Sequence, residues 1–517
     1  MSVLGLGFSI YLRTVDRWLR LAGDDPAGSQ RRVLRRLLNR AQNTWFARRH
    51  DFASIRSHAD FAQAVPVSDY AGGLGMFQRI LAGEPDVAWP GKIKFFAQTS
   101  GTTAGQKYIP VTPEMMRSNR RAALAMFASY ARWGRGSVGR LWKGQLLFLG
   151  GSTNLKQIPG GAMVGDLSAI ATRSIRWPLK RHCEPERELA LIEEWEEKLA
   201  RVAESLAFRD VRFVTGMPSW VKLLFDRVCE VRNFQPEGGI SRAWPNLQLF
   251  VHGGVNFAPY RTAFRKFFTK EHLRRLDFLE VYPASEGFIA IQAEAEKPDM
   301  TLLTDNGLFF EFVPLSRWRH KNAPRLTIDQ VEPDVPYSVV LSTCAGLWAY
   351  DLGDVVRFTS LKPPQVVFAG RNRHFINAFG ENIISEQVVS AVAEAADATG
   401  AEVAGFSVAP AYPDKTRYTG GHEYVVEFRR LPAAGLEAFA DAVDAHLQRL
   451  NHDYSVKRRG DLGMTRVQTT PVPAGTFYKW MKRNGKLGGQ HKVPVCANDR
   501  RYVDDLLASV KDYQPDS

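Results

Sequence analysis

Apolar positions along the chain keep two rhythms. Over residues 29–47 and 186–207 they recur at three- and four-residue spacing, as in Leu189, Ile192, Leu199 and Val202 among glutamates, which predicts surface helices. Between these lie short runs rich in β-branched and aromatic residues that stop at polar or Gly-rich turns: KIKFFAQTSG, QLLFLGGST, VRFVTGMPS, LQLFVHGGV and FLEVYPASEG. Strand, turn, then helix is the repeating unit. It predicts an α/β body whose turn residues gather at the carboxyl ends of the strands, where open sheets bind ligands.

From 307 to 370 the texture changes to closely spaced strands with Gly or Pro at the breaks, GLFFEFVPL, PYSVVLSTCAGLWAY, VVRFTS and QVVFAG. No helical period separates them, so a small β-barrel or antiparallel sheet appended to the body is expected. After Gly370 mixed elements return: a helix near 384–397, a strand at HEYVVEFRR, a helix from Leu436 to Leu450 and a strand at MTRVQTT. Two domains follow, a large N-terminal one over residues 1–370 and a small α+β one over 371–517, with the boundary near GRNR. The start, MSVLGLGFSIYLRTVDRWLRLAG, reads as a packed amphipathic helix. Its apolar run falls short of the roughly 20 residues that span a bilayer, and it lacks a basic start and a cleavage site.

Composition adds little to this and removes several options. Hydrophobic residues at 45% and charged residues at 24% are those of a folded globular chain, so disorder is not expected. The four cysteines, Cys183, Cys229, Cys344 and Cys496, form no CxxC pair, which argues against a zinc site or a disulfide framework and for a reducing, cytoplasmic setting. The formal charge of +14 is spread through helical arginine pairs such as Arg31, Arg32, Arg35 and Arg36. With no module for reading bases, a solvated basic surface explains it better than nucleic acid, and no membrane partner is expected.

Common catalytic templates fail. Gln106 stands where a P-loop needs its second glycine, HExxH is absent, and Pro283 occupies the first glycine position of a GxSxG elbow, so Ser285 is a poor nucleophile. Four other stretches carry chemistry. TSGTTAGQK follows an apolar strand and offers the hydroxyls of Thr99, Ser100, Thr102 and Thr103, flexible glycines and the cation of Lys107 to an anion. YPASEG ends a second strand with Tyr282, Ser285 and Glu286: a face for a base, a hydroxyl, and a carboxylate able to hold magnesium beside phosphates. YDLGD places Asp354 at a tight Gly turn between barrel strands, where a carboxylate can grip a ribose diol, and GRNRHFINAFGENI sets Arg371 at the domain boundary, with Gly380 marking a further turn. Taken singly, Tyr282 is equally a core tyrosine and Asp354 a self-capping turn residue.

In this order the four stretches resemble the adenylate-forming superfamily of acyl-CoA synthetases, peptide-synthetase adenylation domains and luciferase. Within it the chain resembles the Gretchen Hagen acyl acid amido synthetases. The likeness rests on FFAQTSGTTAGQKYIP, on YPASE in place of YGxTE, and on the closing segment GTFYKWMKRNGKLGGQHKVPVC. It runs from about residue 90 to the end. The resemblance implies that Thr99, Ser100, Thr102, Thr103 and Lys107 hold ATP phosphates, and that Tyr282 lies against adenine, with Ser285 beside it and Gly253 and Gly254 of VHGGVNF lining the same pocket. It further implies Glu286 at Mg2+, Asp354 on the ribose hydroxyls, Arg371 near the hinge, a mobile smaller domain, and Lys492 as the mobile carboxyl-terminal lysine. The chain departs from the pattern at His374, where the superfamily hinge is usually acidic, and at His491 and Val493, so Lys479, Lys482 and Lys486 remain rivals of Lys492.

The implied reaction joins a small carboxylic acid to AMP with loss of pyrophosphate, then passes the acyl group to an amine, expected to be an amino acid, by a monomeric enzyme. Delivery to a thiol of coenzyme A or a carrier protein, and a non-catalytic nucleotide-binding protein, are the alternatives. Trp133, Trp142 and Trp220 are candidates for an acid pocket as much as for helix packing, Arg132 or Arg135 for a carboxylate contact, and His252 for the amine proton.

Overall fold

Fifteen of the described strands build the larger part of the molecule, in chain order β1 (Phe95–Ser100), β2 (Gln106–Val111), β3 (Gln145–Leu149), β4 (Lys156–Gln157), β5 (Met163–Gly165), β6 (Cys183–Glu184), β7 (Val211–Gly216), β8 (Leu249–Gly253), β9 (Asp277–Ala284), β10 (Gly287–Gln292), β11 (Met300–Leu302), β12 (Leu308–Pro314), β13 (Pro336–Thr343), β14 (Tyr350–Leu361) and β15 (Pro364–Arg371). The computed structural model describes every residue except 1–2, 101–105, 135–137, 151–154, 173–178, 193, 254–256, 258–260, 319, 321, 373–374, 377, 380, 382, 413–419, 459–463, 485–492, 498 and 512–517. The chain divides into one unit made of Met1–Leu352 and Val356–Val367 with Gly488–Gln490, and a second made of Gly353–Val355, Phe368–Leu487 and His491–Ser517.

In the first unit an 11-stranded sheet runs β12-β13-β14-β15-β11-β10-β9-β8-β7-β3-β6. Its β6-β3-β7-β8-β9 section is parallel, as the strand-turn-helix rhythm predicts. Alternate residues of these strands face two cores. Leu147, Val214 and Phe250 pack under the helices Trp195–Leu206 and Pro218–Val231. Leu146, Phe213, Leu249 and Leu279 pack under the N-terminal helix Val3–Asp24 and the helix Pro113–Trp133. Because both faces are covered, ligands have access only at the strand ends, and Gly216, Gly253 and Ala284 mark that edge.

Several expectations change at the level of elements. The helix read over 29–47 is two, Pro26–Ala41 and Trp45–Arg49, because the Thr44 side chain accepts from Ala47 N and starts a new helix. That over 186–207 is likewise split, since Glu194 caps Trp195–Leu206 through Glu197 N. Neither β1 nor β9 feeds a helix directly: β1 returns antiparallel as β2, and β9 as β10. Of the barrel or antiparallel sheet expected as an appendage over 307–370, the strands form a sheet, with β12 and β13 antiparallel, but as the β12-β13-β14-β15 end of the large sheet, and no closed barrel is found among the described residues. That end is tied down by a buried ion pair in which Arg325 Nε and Nη2 donate to the two oxygens of Glu311 at 2.9 and 2.7 Å. A second, four-stranded sheet, β2-β1-β5-β4, carries the hydroxyl-rich stretch.

The second unit contains β16 (Phe375–Ile376), β17 (Ile383–Ile384), β18 (Glu402–Ala411), β19 (Gly421–Arg430) and β20 (Gln468–Val472). The last three form one sheet, on which the helices Ser385–Thr399 and Gly435–Leu450 pack through Val388, Val392, Phe439 and Val443. No described helix is long and apolar enough to cross a membrane.

Candidate active site

The hairpin of β1 and β2 brings Thr99 opposite Lys107 and Ser100 opposite Gln106. Alternation puts Ala97, Ile109 and Val111 on one buried face and Phe96 on the other, so this end of the hairpin is held on an apolar base. Thr102 and Thr103 lie outside the described residues, as do Gly254 and Lys492. Beyond β2, Thr112 serves two elements: its hydroxyl accepts from Met115 N at 3.0 Å, capping the helix Pro113–Trp133, and donates to Cys344 O at 2.7 Å.

On the large sheet, Gly253 at the end of β8 pairs with Val281 of β9. A Cβ on Gly253 would lie 2.3 Å from Val281 O and 3.2 Å from Pro283 Cδ, so only glycine allows the two strand ends to close this tightly. The strand period then places Tyr282, Glu280 and, across the register, His252 on one face. Ala284 opposes Gly287, which leaves Ser285 and Glu286 as a two-residue hairpin loop. Both are buried, and the Ser285 hydroxyl has no hydrogen-bond partner among the described residues.

A buried histidine and a partly buried glutamate lie on the Tyr282 face. Burial, helped by the charge of Arg261, drives His252 down to about 3, so the ring is neutral, and it stacks on Phe257 at 4.1 Å. A neutral imidazole with so low an affinity for protons is a poor acceptor for an amine proton. Burial pushes the Glu280 carboxyl up to about 7 against the opposing pull of Arg261.

A strap that the motif reading missed joins these parts. Ser68 N donates to Ala349 O at 3.1 Å and Asp351 N to Ser68 O at 2.9 Å, bridging Ser68 to the start of β14. Two residues on, the Tyr70 hydroxyl accepts from Tyr108 N of β2 at 3.2 Å. Tyr70, Phe77, Ile109, Leu347 and Tyr350 share one buried cluster. The Tyr350 phenol is held well above its ordinary range, first by burial and then by the carboxylates of Glu286, Asp351 and Asp69. Thus the β1–β2 hairpin and the start of β14 meet within the first unit, and the charge of Glu286 reaches the Tyr350 phenol there. The signal in the sequence was Tyr350 of the same YDLGD stretch, passed over for its aspartate.

In the second unit, Asp354 is buried and pairs with Arg371 Nε at 2.8 Å. Asp354 was expected at a turn between strands, yet it lies inside the 12-residue strand β14. Gly353, with φ +80, takes a left-handed conformation there, and its carbonyl accepts from Asn372 N at 2.9 Å. Arg132 is engaged with Asp16 at 3.4 Å and with Ala293 O at 3.3 Å, against its use on a substrate carboxylate, and Arg135 lies outside the described residues. The candidate pocket tryptophans are packing residues: Trp220 lies 4.3 Å from Trp195, Trp142 5.4 Å from Phe8, and Trp133 against Tyr130.

The fold is that of solved acyl acid amido synthetases. A structure of GH3.15 acyl acid amido synthetase aligns with a TM-score of 0.77 over 97% of this chain and 96% of that one, at 17% identity. Another, of AtGH3.15 acyl acid amido synthetase in complex with 2,4-DB, gives 0.76 over 96% of each at 19% identity. The GH3 N-terminal domain model matches residues 16–215 and 184–273, the central domain model 301–371 and the C-terminal domain model 386–501, and the chain belongs to the GH3 family. Indole-3-acetic acid-amido synthetase GH3.10 of Arabidopsis thaliana is 27% identical over 52% of this chain and 48% of its own length, so the match spans about half of that relative. A probable indole-3-acetic acid-amido synthetase GH3.1 of Oryza sativa subsp. japonica is 23% identical over 93% and 89%.

Proposed function

We propose that the protein is an ATP-dependent acyl acid amido synthetase. It activates a small carboxylic acid as the acyl adenylate with release of pyrophosphate, then transfers the acyl group to an amine, an amino acid, with release of AMP. The observation that carries this reading is the packing of the Thr99–Lys107 hairpin against the start of β14, where the charge of the buried Glu286 is also felt, in a chain of the GH3 family.

The chemistry follows from what each group offers. A carboxylate resists attack by an amine because oxide is a poor leaving group, and linkage to AMP replaces it with a good one. Thr99, Ser100, Thr102, Thr103 and Lys107 offset phosphate charge while the acid oxygen attacks the α-phosphorus, a task of positioning and electrostatics. Tyr282 covers the adenine beside Gly253, Gly254 and Ser285, while Asp354, oriented by Arg371, accepts from the ribose hydroxyls. A Mg2+ ion fits as the partner of Glu286. The described residues hold no cluster of three ligating side chains, and one buried carboxylate beside phosphates is how Mg2+ is commonly held. When bound, it would neutralise charge developing on the phosphates. Lys492 is assigned to the adenylation half-reaction, with movement of the domain after residue 370 admitting the amine. Holding acyl adenylate and amine together is worth up to roughly 7–11 kcal/mol of barrier.

Four cysteines outside any disulfide, two of them with thiols pushed up to about 11 and two to about 12 by burial, fit a cytoplasmic setting. A panel of carboxylates screened for pyrophosphate exchange into ATP, followed by amino acids and thiols on the best acid, tests the reading. Amide formation is expected. Thioester formation in its place, or exchange with no acid, would defeat it.

A further inference from the structure

Among the described buried side chains, the Tyr350 phenol is out of place. It is 3% exposed, lies in the apolar cluster of Tyr70, Phe77, Ile109 and Leu347, and its oxygen has no hydrogen-bond partner among the described residues. A buried hydroxyl left unsatisfied is costly, and evolution ordinarily supplies a partner or replaces the tyrosine with phenylalanine. Here the ring is held firmly. Ser68 brackets the Tyr350 backbone by hydrogen bonds to Ala349 O and from Asp351 N, while Ala349 N donates to Ser342 Oγ at 2.9 Å and Trp348 Nε1 to Ala88 O at 3.0 Å. A second unpartnered buried hydroxyl, Ser285 Oγ, adjoins Glu286, whose charge is felt at Tyr350.

We propose that the Tyr350 hydroxyl is a donor held in reserve for a phosphate oxygen of the bound nucleotide, making Tyr350 a binding residue of the reacting centre. This rests on the nucleotide site of the proposed function. A phenol serves where another carboxylate would not. A phenol keeps its proton at neutral pH, so it presents an O–H donor to an anion. It also explains why a hydroxyl is kept without a protein partner: the partner arrives with the ligand.

Tyr350→Phe removes a single oxygen and is the test. The thermal midpoint of the free protein and the calorimetric affinities for adenosine, AMP and Mg-ATP are measured for the parent and the variant. The expected result is an unchanged or higher midpoint, unchanged adenosine affinity, and AMP and ATP binding weakened about 10- to 100-fold, the range for a hydrogen bond to a charged group. Equal AMP and ATP affinities in the two proteins would overturn the assignment. So would a fall of the midpoint by several degrees, including failure to fold, because it would show that the hydroxyl has a structural partner. Binding requires no turnover, so a parent that binds AMP but exchanges no pyrophosphate counts against amide synthesis alone, whereas a parent that binds no nucleotide overturns both.

Discussion

The proposed function gives Glu286 and Asp354 separable duties. Glu286→Gln keeps the shape of the Ser285–Glu286 loop and removes a charge, so acid-dependent pyrophosphate exchange should fall about 100- to 1,000-fold with adenosine affinity intact. Asp354→Asn breaks the 2.8 Å pair with Arg371 as well as the proposed ribose contact, so its main effect should be a KM for ATP raised about tenfold or more. Equal loss of adenosine and ATP binding in Glu286→Gln would place that carboxylate at the nucleoside instead. The motif stretches stood out in the sequence because hydroxyls, glycines and acids at strand ends have few structural uses in such density. Tyr350 was not, since an apolar-run tyrosine looks like core until its oxygen is seen to lack a partner. His252 was legible as a position near the motifs but not as a neutral ring, because its state is set by burial and Arg261.

At the scale of elements, the strands read from alternation and β-branching appear where expected, and what escaped was which strand turns back on itself. Nothing local in YPASEG says that Ser285 and Glu286 close a hairpin between β9 and β10; that depends on β10 finding β11 beyond it. The 307–370 strands were visible, but their attachment to the large sheet depends on long-range pairing and on the buried Arg325–Glu311 pair. Arg325→Met should cost about 3–5 kcal/mol in urea unfolding by stranding Glu311, with Arg325→Met/Glu311→Leu recovering most of it. A cost near zero for the single variant would mean that His58, 2.7 Å from Glu311, suffices. On β9, the folded Glu280 carboxyl is raised from its ordinary 4.5 to about 7, so the unfolded chain loses this proton first as pH rises. Its contribution is nil below pH 4.5, and stability falls as pH rises from there to about 7, then levels off. Glu280→Gln should therefore match its parent in acid and exceed it by on the order of 2–3 kcal/mol near pH 8. An identical pH dependence in both proteins would show that the carboxyl is solvated.

For the molecule as a whole, family membership was legible from the order of four stretches, while the identity of the acid and amine is written in no local pattern. Two half-reactions sharing one site make distinct demands on the chain. Lys492→Ala should depress pyrophosphate exchange at least 100-fold and leave amide formation from a supplied acyl adenylate within a few-fold. Loss of both together would point to a static site. The most direct measurement follows the fate of ATP in the presence of an accepted acid and amino acid, with nucleotides and amide quantified in one sample. The account requires one AMP and one pyrophosphate for each amide formed. ADP and phosphate, or ATP cleavage that ignores the acid, would contradict it.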